Sequence, residues 1–549
     1  MEKRIFLAIV ISLGLLWLWA AVAPKIFPEL ARKPAAVTKT TTSPSTSSTK
    51  TTTTSTTGIA APIASTPPLT ASTPVAATAV QQTVVDTPEF HAIFSNRGAQ
   101  LVSFHLKKYN QKGAKTPVEL VKTRDPHRTD YPFAIESRDV ALTSRLNSAL
   151  YAVDERIERG ARVIEYRYAA PDGVSVTKTF RLSKPFLFDF AVAMHPATPY
   201  RITIGPGLRT LSPEEADTRV VQTGNGIVQI DGRLKVIPRE KGDRFRTFDA
   251  VDFVGIEDNY FMSVLRPSHG NGVTLRRVLF KGPAKDQHRE DLYASVNAAN
   301  DGSVTGEAFF GPKETKLLDS YGMGSALQFG WFGIIGRFFL KALVWINQAT
   351  KNYGFAIIVL TILIKVVLYP LQHKSIVSMK KMQKAQPKVE AIKAKYKKSR
   401  SDAEQRQKMN VEMMQLYQKE GINPMAGCLP IVLQLPILWG FYGLLSRAIE
   451  LRGAPFILWI HDLSDKDPTY ILPILMTATM FIQTYITPST GDPNQRRMFL
   501  IMPVVMGFLF KDFPSGLVLY WLVQNILTIV QQSIMNRWWK EHPAEIQNA

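Results

Sequence analysis

The chain has 549 residues, 45% of them hydrophobic, and a formal net charge of +21. That length exceeds one core and implies roughly two to four folding units, while a mean hydropathy near zero is what a soluble portion averaged with a membrane portion gives. The charge fits nucleic acid, or a membrane protein with Lys and Arg kept on the cytoplasmic side; the single cysteine, Cys428, excludes an internal disulfide framework, a CxxC pair and a cysteine zinc site.

Lys3 and Arg4 precede an apolar run ending near Ala23, with Trp17 and Trp19 toward its far end. A run of that length spans a bilayer, so 1–23 reads as an uncleaved anchor with a cytoplasmic N-terminus. Ala20 to Ala23 keeps cleavage as the alternative. Residues 24–87, mostly Thr, Ser, Pro and Ala, cannot offset their own ordering entropy and read as a tether.

From 88 to 325, short alternating or β-branched runs such as EFHAIFS and NGIVQIDGRLKVI are separated by turn signals. Asp-Gly and Asn-Gly steps at Asp172, Asn225, Asp231 and Asp301 predict hairpin-type turns. The pattern predicts a large antiparallel β-sandwich, which follows the first span and so lies outside the cytoplasm.

Residues 326–346 are rich in Trp and Phe but carry Arg337 and Lys341, which suits an amphipathic helix lying in the interface better than a span. A second span is predicted within 347–372. Residues 373–420 are basic, with Met379, Met382, Val389, Ile392 and Tyr396 at helical steps, then Met409, Met413 and Leu416 or Tyr417. This predicts two helices folded on each other through an apolar seam, with Pro387 kinking or breaking the first. Four further spans are expected within 421–540, at about 424–445, 470–487, 498–510 and 515–534. The third is short, and 541–549 is a short tail. The fold class is therefore a multi-domain membrane protein: a six-span α-helical bundle with a cytoplasmic helical hairpin and a large outer β-sandwich. Both termini in the cytoplasm would put Lys3, Arg4, the hairpin, Arg496, Arg497, Arg537 and Lys540 on one side.

Lys365 stands inside the second span with Thr361 four residues before it, so hydroxyl and ammonium share a helix face. An intramembrane charge costs about 2.5–3.5 kcal/mol on insertion scales and by default marks a functional site. The ammonium could instead snorkel to the headgroups past Pro370, or sit in an ion pair. Facing spans offer no acid. Other intramembrane polar residues are Gln434, Gln483, Thr484, Gln524 and Asn525, the last sharing a face with Trp521; each amide alone serves equally as interhelical glue. There is no phosphate-binding loop, HExxH or GxSxG, and the histidines lack ligand spacing. Lys380, Lys381, Lys384, Lys388, Lys393, Lys395, Lys397, Lys398 and Arg400 give the hairpin its charge. A solvated face, anionic lipid and ribosomal RNA all fit it.

Four phrases carry a family resemblance: NPMAGCLPIVLQLPI, APFILWIHDLS, DPTYILPILM and FPSGLVLYW, in that order behind a basic hairpin. They resemble the YidC family of membrane-protein insertases in its long Gram-negative form. The resemblance implies a bacterial inner-membrane location, a periplasmic outer domain similar to a mutarotase-type fold, and a hydrophilic groove open to cytoplasm and lipid. By resemblance Lys365 takes the groove's cationic position, usually Arg, and loses the planar fork that captures a carboxylate bidentately. Thr361 matches a groove threonine, and Trp521 stands where relatives often have a second Tyr after Tyr520. Gln434, Gln524 and Asn525 complete the implied groove. Implied partners are nascent membrane proteins, the ribosome through the hairpin, and anionic lipids, with no DNA and no cofactor; work alone or beside a Sec-type translocon both remain open. The rival readings are a channel or transporter with Lys365 as an anion site, which would favour an inverted repeat, and a tethered sugar-binding domain.

Overall fold

The computed structural model describes residues 74–541 apart from 123–129, 210–223, 238–243, 282–287, 331, 397–402, 423–428 and 488–492. The expected anchor 1–23, the tether up to residue 73 and the tail 542–549 lie outside the described residues.

Three antiparallel sheets build the β domain. The nine-stranded sheet runs, edge to edge, Arg233–Ile237, Asn225–Ile230, Phe253–Glu257, Phe261–His269, Ser303–Pro312, Leu187–His195, Ser175–Lys184, Ala161–Ala169 and Ala152–Glu158. A five-stranded sheet faces it, and a four-stranded one opens the domain with Gln82–Asp86. That first strand falls in the stretch read as tether. Its Thr83 and Val85 turn inward while their neighbours stay in solvent, an alternation too short to stand out from a Thr-rich background. Phe133 centres the core, with the rings of Phe180, Phe190 and Phe188 at 4.9, 5.6 and 5.8 Å. Burying each such ring contributes about 1.5–3 kcal/mol.

Asp231–Gly232 forms the expected two-residue turn: both residues have positive φ, and Ile230 pairs with Arg233 across it. Asn225–Gly226 does not turn. It opens a strand and pairs with Glu257 and Ile256, and the missing Cβ of Gly226 admits Leu275 of the facing sheet. The sandwich also contains a helix with no helical signal in the sequence, α1 (Val140–Ser148), started by Asp139, whose carboxylate accepts from the N–H groups of Ala141 and Leu142.

α2 (Thr315–Ser320) leads out of the β domain to α3 (Gly333–Thr350). On α3, Phe339, Leu340, Leu343 and Ile346 are buried while Ile334, Phe338 and Trp345 are exposed, so the helix is two-faced. α4 (Tyr353–Lys395) is one helix of 43 residues, capped by Asn352 and continuous through Pro370 and Pro387. Of the kink or break expected at Pro387, the break does not occur. Ala385 and Val389 are buried on either side of it, and Gln386 bonds Glu390 across it, so packing offsets the one lost backbone bond.

α5 (Ala403–Lys419) packs antiparallel on the end of α4, with Lys388–Glu420 at 2.6 Å and Lys395–Glu412 at 3.1 Å. α6 (Leu429–Leu445), α7 (Ile471–Ile486), α8 (Pro493–Phe510) and α9 (Ser515–Glu541) complete the bundle. α8 exceeds its apolar run because Pro493 suits a first helical turn and Arg496 and Arg497 continue it. Among the described residues, α4 and α9 are long and apolar enough to cross a membrane, and Val432–Leu445, Ile471–Ile486 and Leu500–Phe510 are shorter apolar helices.

The β domain is bolted to the loop joining α6 and α7. Asn259 Nδ2 donates to the Ser446 carbonyl at 3.0 Å, and Glu450 accepts from the Thr315 N–H and hydroxyl at 3.0 and 2.8 Å. Lys112 pairs with Asp465 at 2.7 Å, and the Arg452 guanidinium lies over the rings of Tyr260 and Phe261.

Candidate functional site

The candidate site lies where α4 meets α9. Lys365 is 8% exposed, and its ammonium points into the bundle, donating to the Thr528 hydroxyl at 2.9 Å. Snorkelling is thus not its conformation, and no ion pair involves it among the described residues. One hydroxyl leaves two of the three ammonium donors unused among the described residues. Thr528 in turn donates to the Gln524 carbonyl one turn back at 2.7 Å, which fixes its oxygen toward Lys365.

The other residues expected at the site divide into groups. Thr361, fully buried one turn before Lys365, donates to its own helix at the Ile357 carbonyl. Gln434 of α6 donates to the Tyr520 hydroxyl, and the Tyr520 ring stacks on Phe441 at 4.4 Å, tying α6 to α9. Trp521 is half-buried against Phe510 of α8 at 4.9 Å. The Gln524 side-chain oxygen is buried with no hydrogen-bond partner among the described residues. Asn525 bonds the Met476 carbonyl and the Thr479 hydroxyl of α7, at 3.3 and 3.2 Å, and not Lys365. It is the interhelical glue that its residue type equally allows.

Thr528 was not legible as a site residue. The available signal was its place one turn after Gln524 and seven residues after Trp521, on the face those residues define.

On the helix pair, Lys384, Lys388, Lys393 and Lys395 are exposed and Lys380 and Lys381 half-buried. Lys388 and Lys395 spend charge on Glu420 and Glu412, and the Lys395–Glu412 contact raises the lysine above its ordinary value. Lys397, Lys398 and Arg400 lie outside the described residues.

Two helices long and apolar enough to cross a membrane, with Lys365 enclosed between them and an antiparallel β domain attached, suit a membrane protein with a large extramembrane domain. Residues 82–345 match the YidC periplasmic domain and residues 345–542 match the 60Kd inner membrane protein family. The chain is 33% identical to the membrane protein insertase YidC of Geobacter metallireducens, covering 98% of both chains. It is 34% identical to that of Geotalea daltonii over 98% of this chain and 99% of that one. A crystal structure of an active YidC insertase with its first transmembrane domain resolved overlays 84% of this chain and 93% of that one, at 19% identity and a TM-score of 0.37. This chain belongs to the YidC family of membrane protein insertases, inner-membrane proteins with a β-rich periplasmic domain.

Proposed function

We propose that the chain inserts nascent inner-membrane proteins through a hydrophilic intramembrane groove between α4 and α9, without nucleotide hydrolysis. The observation that carries this reading is the Lys365 ammonium, enclosed between two helices and bonded to a neutral hydroxyl. A charge held that way remains free to exchange its partner. A client's acidic flank meets Lys365 while its apolar segment passes along the lipid-facing sides of α4 and α9, where Val366, Val367 and Val530 are exposed.

Six spans with both termini in the cytoplasm put α4's basic extension and α5 on the cytoplasmic side, where their exposed lysines dock ribosome or anionic lipid. The exposed lysines of this helix pair make it the main docking surface, whether the protein works alone or beside a Sec-type translocon. α3 lies in the outer interface with Ile334, Phe338 and Trp345 toward lipid.

About 20 apolar residues at roughly −0.3 to −0.6 kcal/mol each supply on the order of −6 to −12 kcal/mol, enough to offset a few translocated charges. A client acid moving outward gains about 2.3 kcal/mol per 100 mV. The groove therefore lowers a barrier and does not drive the reaction, and suitable clients have short, lightly charged flanks. Photocrosslinkers at positions 361, 365 and 521 should all reach a short client during its synthesis, and Lys365→Ala should fail with acidic flanks. Normal insertion of those clients by the variant sinks the electrostatic account.

A further inference from the structure

Beyond the Lys365–Thr528 contact, the α9 side of the seam with α4 carries side-chain amides whose buried atoms find no hydrogen-bond partner among the described residues. On α9, Gln524, Thr528, Gln531 and Met535 recur at three- and four-residue steps and share one face. Two contacts turn that face toward α4: Lys365 with Thr528, and Ile376 packed against Met535. Gln531 lies between them on α9. It is 8% exposed, and both its amide nitrogen and its amide oxygen are buried without a hydrogen-bond partner among the described residues. Gln524 Oε1, on the other side of Thr528, is in the same condition. On α4, Gln372 is buried over the same stretch. An enclosed carboxamide left unpaired costs stability that a leucine of similar volume would not, so packing does not account for Gln531.

We propose that Gln531 is a binding site for the main chain of the inserting polypeptide, its carboxamide pairing with one peptide N–H and one peptide C=O of the extended polar flank. The inference rests on the insertase reading above and adds a contact that ignores side-chain identity. A carboxamide offers a donor and an acceptor side by side, as the peptide group does. Gln524 and Gln531 are seven residues apart, about 10 Å along a helix at 1.5 Å per residue. An extended chain covers that in about three residues. The two amides thus grip main chain on either side of the residue whose charge meets Lys365.

The test uses the full-length protein in liposomes with two short clients, one with an acidic and one with a neutral flank. Gln531→Leu should slow both by on the order of thirty-fold, the effect of two buried hydrogen bonds, with a thermal midpoint equal to or above wild type. Lys365→Ala should slow the acidic client alone. Wild-type insertion of both clients by Gln531→Leu would show that the amide holds only water and overturn the proposal. So would a loss confined to the acidic client, or a loss accompanied by a lowered midpoint. An inert Lys365→Ala would sink the charge reading by itself, and Gln531→Leu would still be judged on the neutral client.

Discussion

Truncating Asp258 to alanine should loosen the joint between the β domain and the bundle more than any single change at the joint's surface. Asp258 Oδ2 accepts from Arg209 Nε at 2.6 Å, and both side chains are 2% exposed. Oδ1 accepts from the N–H groups of Tyr260 and Phe261 at 2.8 and 2.7 Å, which shapes the turn that presents Asn259 to Ser446. Alanine takes the carboxylate away from a buried guanidinium, and breaking such a buried pair costs about 3–5 kcal/mol; it strands two backbone donors besides. At about 2–4 °C per kcal/mol for a domain of this size, the midpoint should drop by on the order of 10 °C. A chain with several cooperative units does not melt in one step, so hydrogen exchange read strand by strand is the cleaner assay. Amides of Phe253–Glu257 and Phe261–His269 should exchange a hundred-fold faster or more, about tenfold per 1.4 kcal/mol, and protection at Ile449–Leu451 should fall with them. Asp258→Asn keeps an acceptor for the two N–H groups and should fall between. Exchange within about three-fold of wild type in the alanine variant, a difference too small for a lost buried pair, would refute the reasoning.

Lys178 gives a pH dependence with a definite sign. It is fully buried, donating to the carbonyls of Gly98 and Phe133 at 2.6 and 2.8 Å, and burial pushes its ammonium down to about 7. A lysine in the unfolded chain titrates near 10.4, so between about pH 7 and pH 10 the unfolded state holds a proton that the folded state lacks, and stability rises with pH by up to a few kcal/mol. Below pH 7 both states are charged and the burial cost is fully present. Denaturant titrations of wild type and Lys178→Met should diverge in slope across that window, and parallel curves would exclude a neutral lysine. At Gly443 a methyl group would run into the Phe329 backbone carbonyl, so Gly443→Ala should cost about 1–3 kcal/mol in thermal unfolding of the full chain. An unchanged midpoint would mean that α6 and the approach to α3 are not packed that closely.

The sequence made the layers legible and hid the joints. Period-two runs gave the strands because each has one face in the core, and an apolar stretch with one lysine gave α4 because bilayer length is set by physics common to all chains. Dipeptides of the same turn class were ambiguous. Asp231–Gly232 turns and Asn225–Gly226 does not, since such a pair reports only a backbone able to bend, and at Gly226 the missing side chain serves Leu275 instead. Lys112–Asp465 and Thr315–Glu450 join residues more than a hundred apart in the chain, and no local pattern announces such a pair. Pro387 misled for the opposite reason: its local cost is real, and tertiary packing at Ala385 and Val389 outweighs it.

The neutrality of Lys365's partner is what the insertase reading depends on, and it can be inverted by one substitution. A hydrogen bond between an ammonium and a hydroxyl contributes about 1.5–3 kcal/mol, a sum an arriving carboxylate can replace. Breaking an enclosed ion pair costs about 3–5 kcal/mol, a barrier that a short client flank would have to meet again at each insertion. Thr528→Asp puts a carboxylate where the hydroxyl now lies 2.9 Å from the ammonium. The carboxylate has no cheaper partner in the seam than Lys365, so the variant should fold, hold its midpoint and yet handle acidic clients as poorly as Lys365→Ala. Neutral clients should be affected far less, because their insertion never calls on the charge. Wild-type rates with acidic clients in the aspartate variant would mean that the ammonium does not need to be released, and that its place between α4 and α9 serves the fold alone.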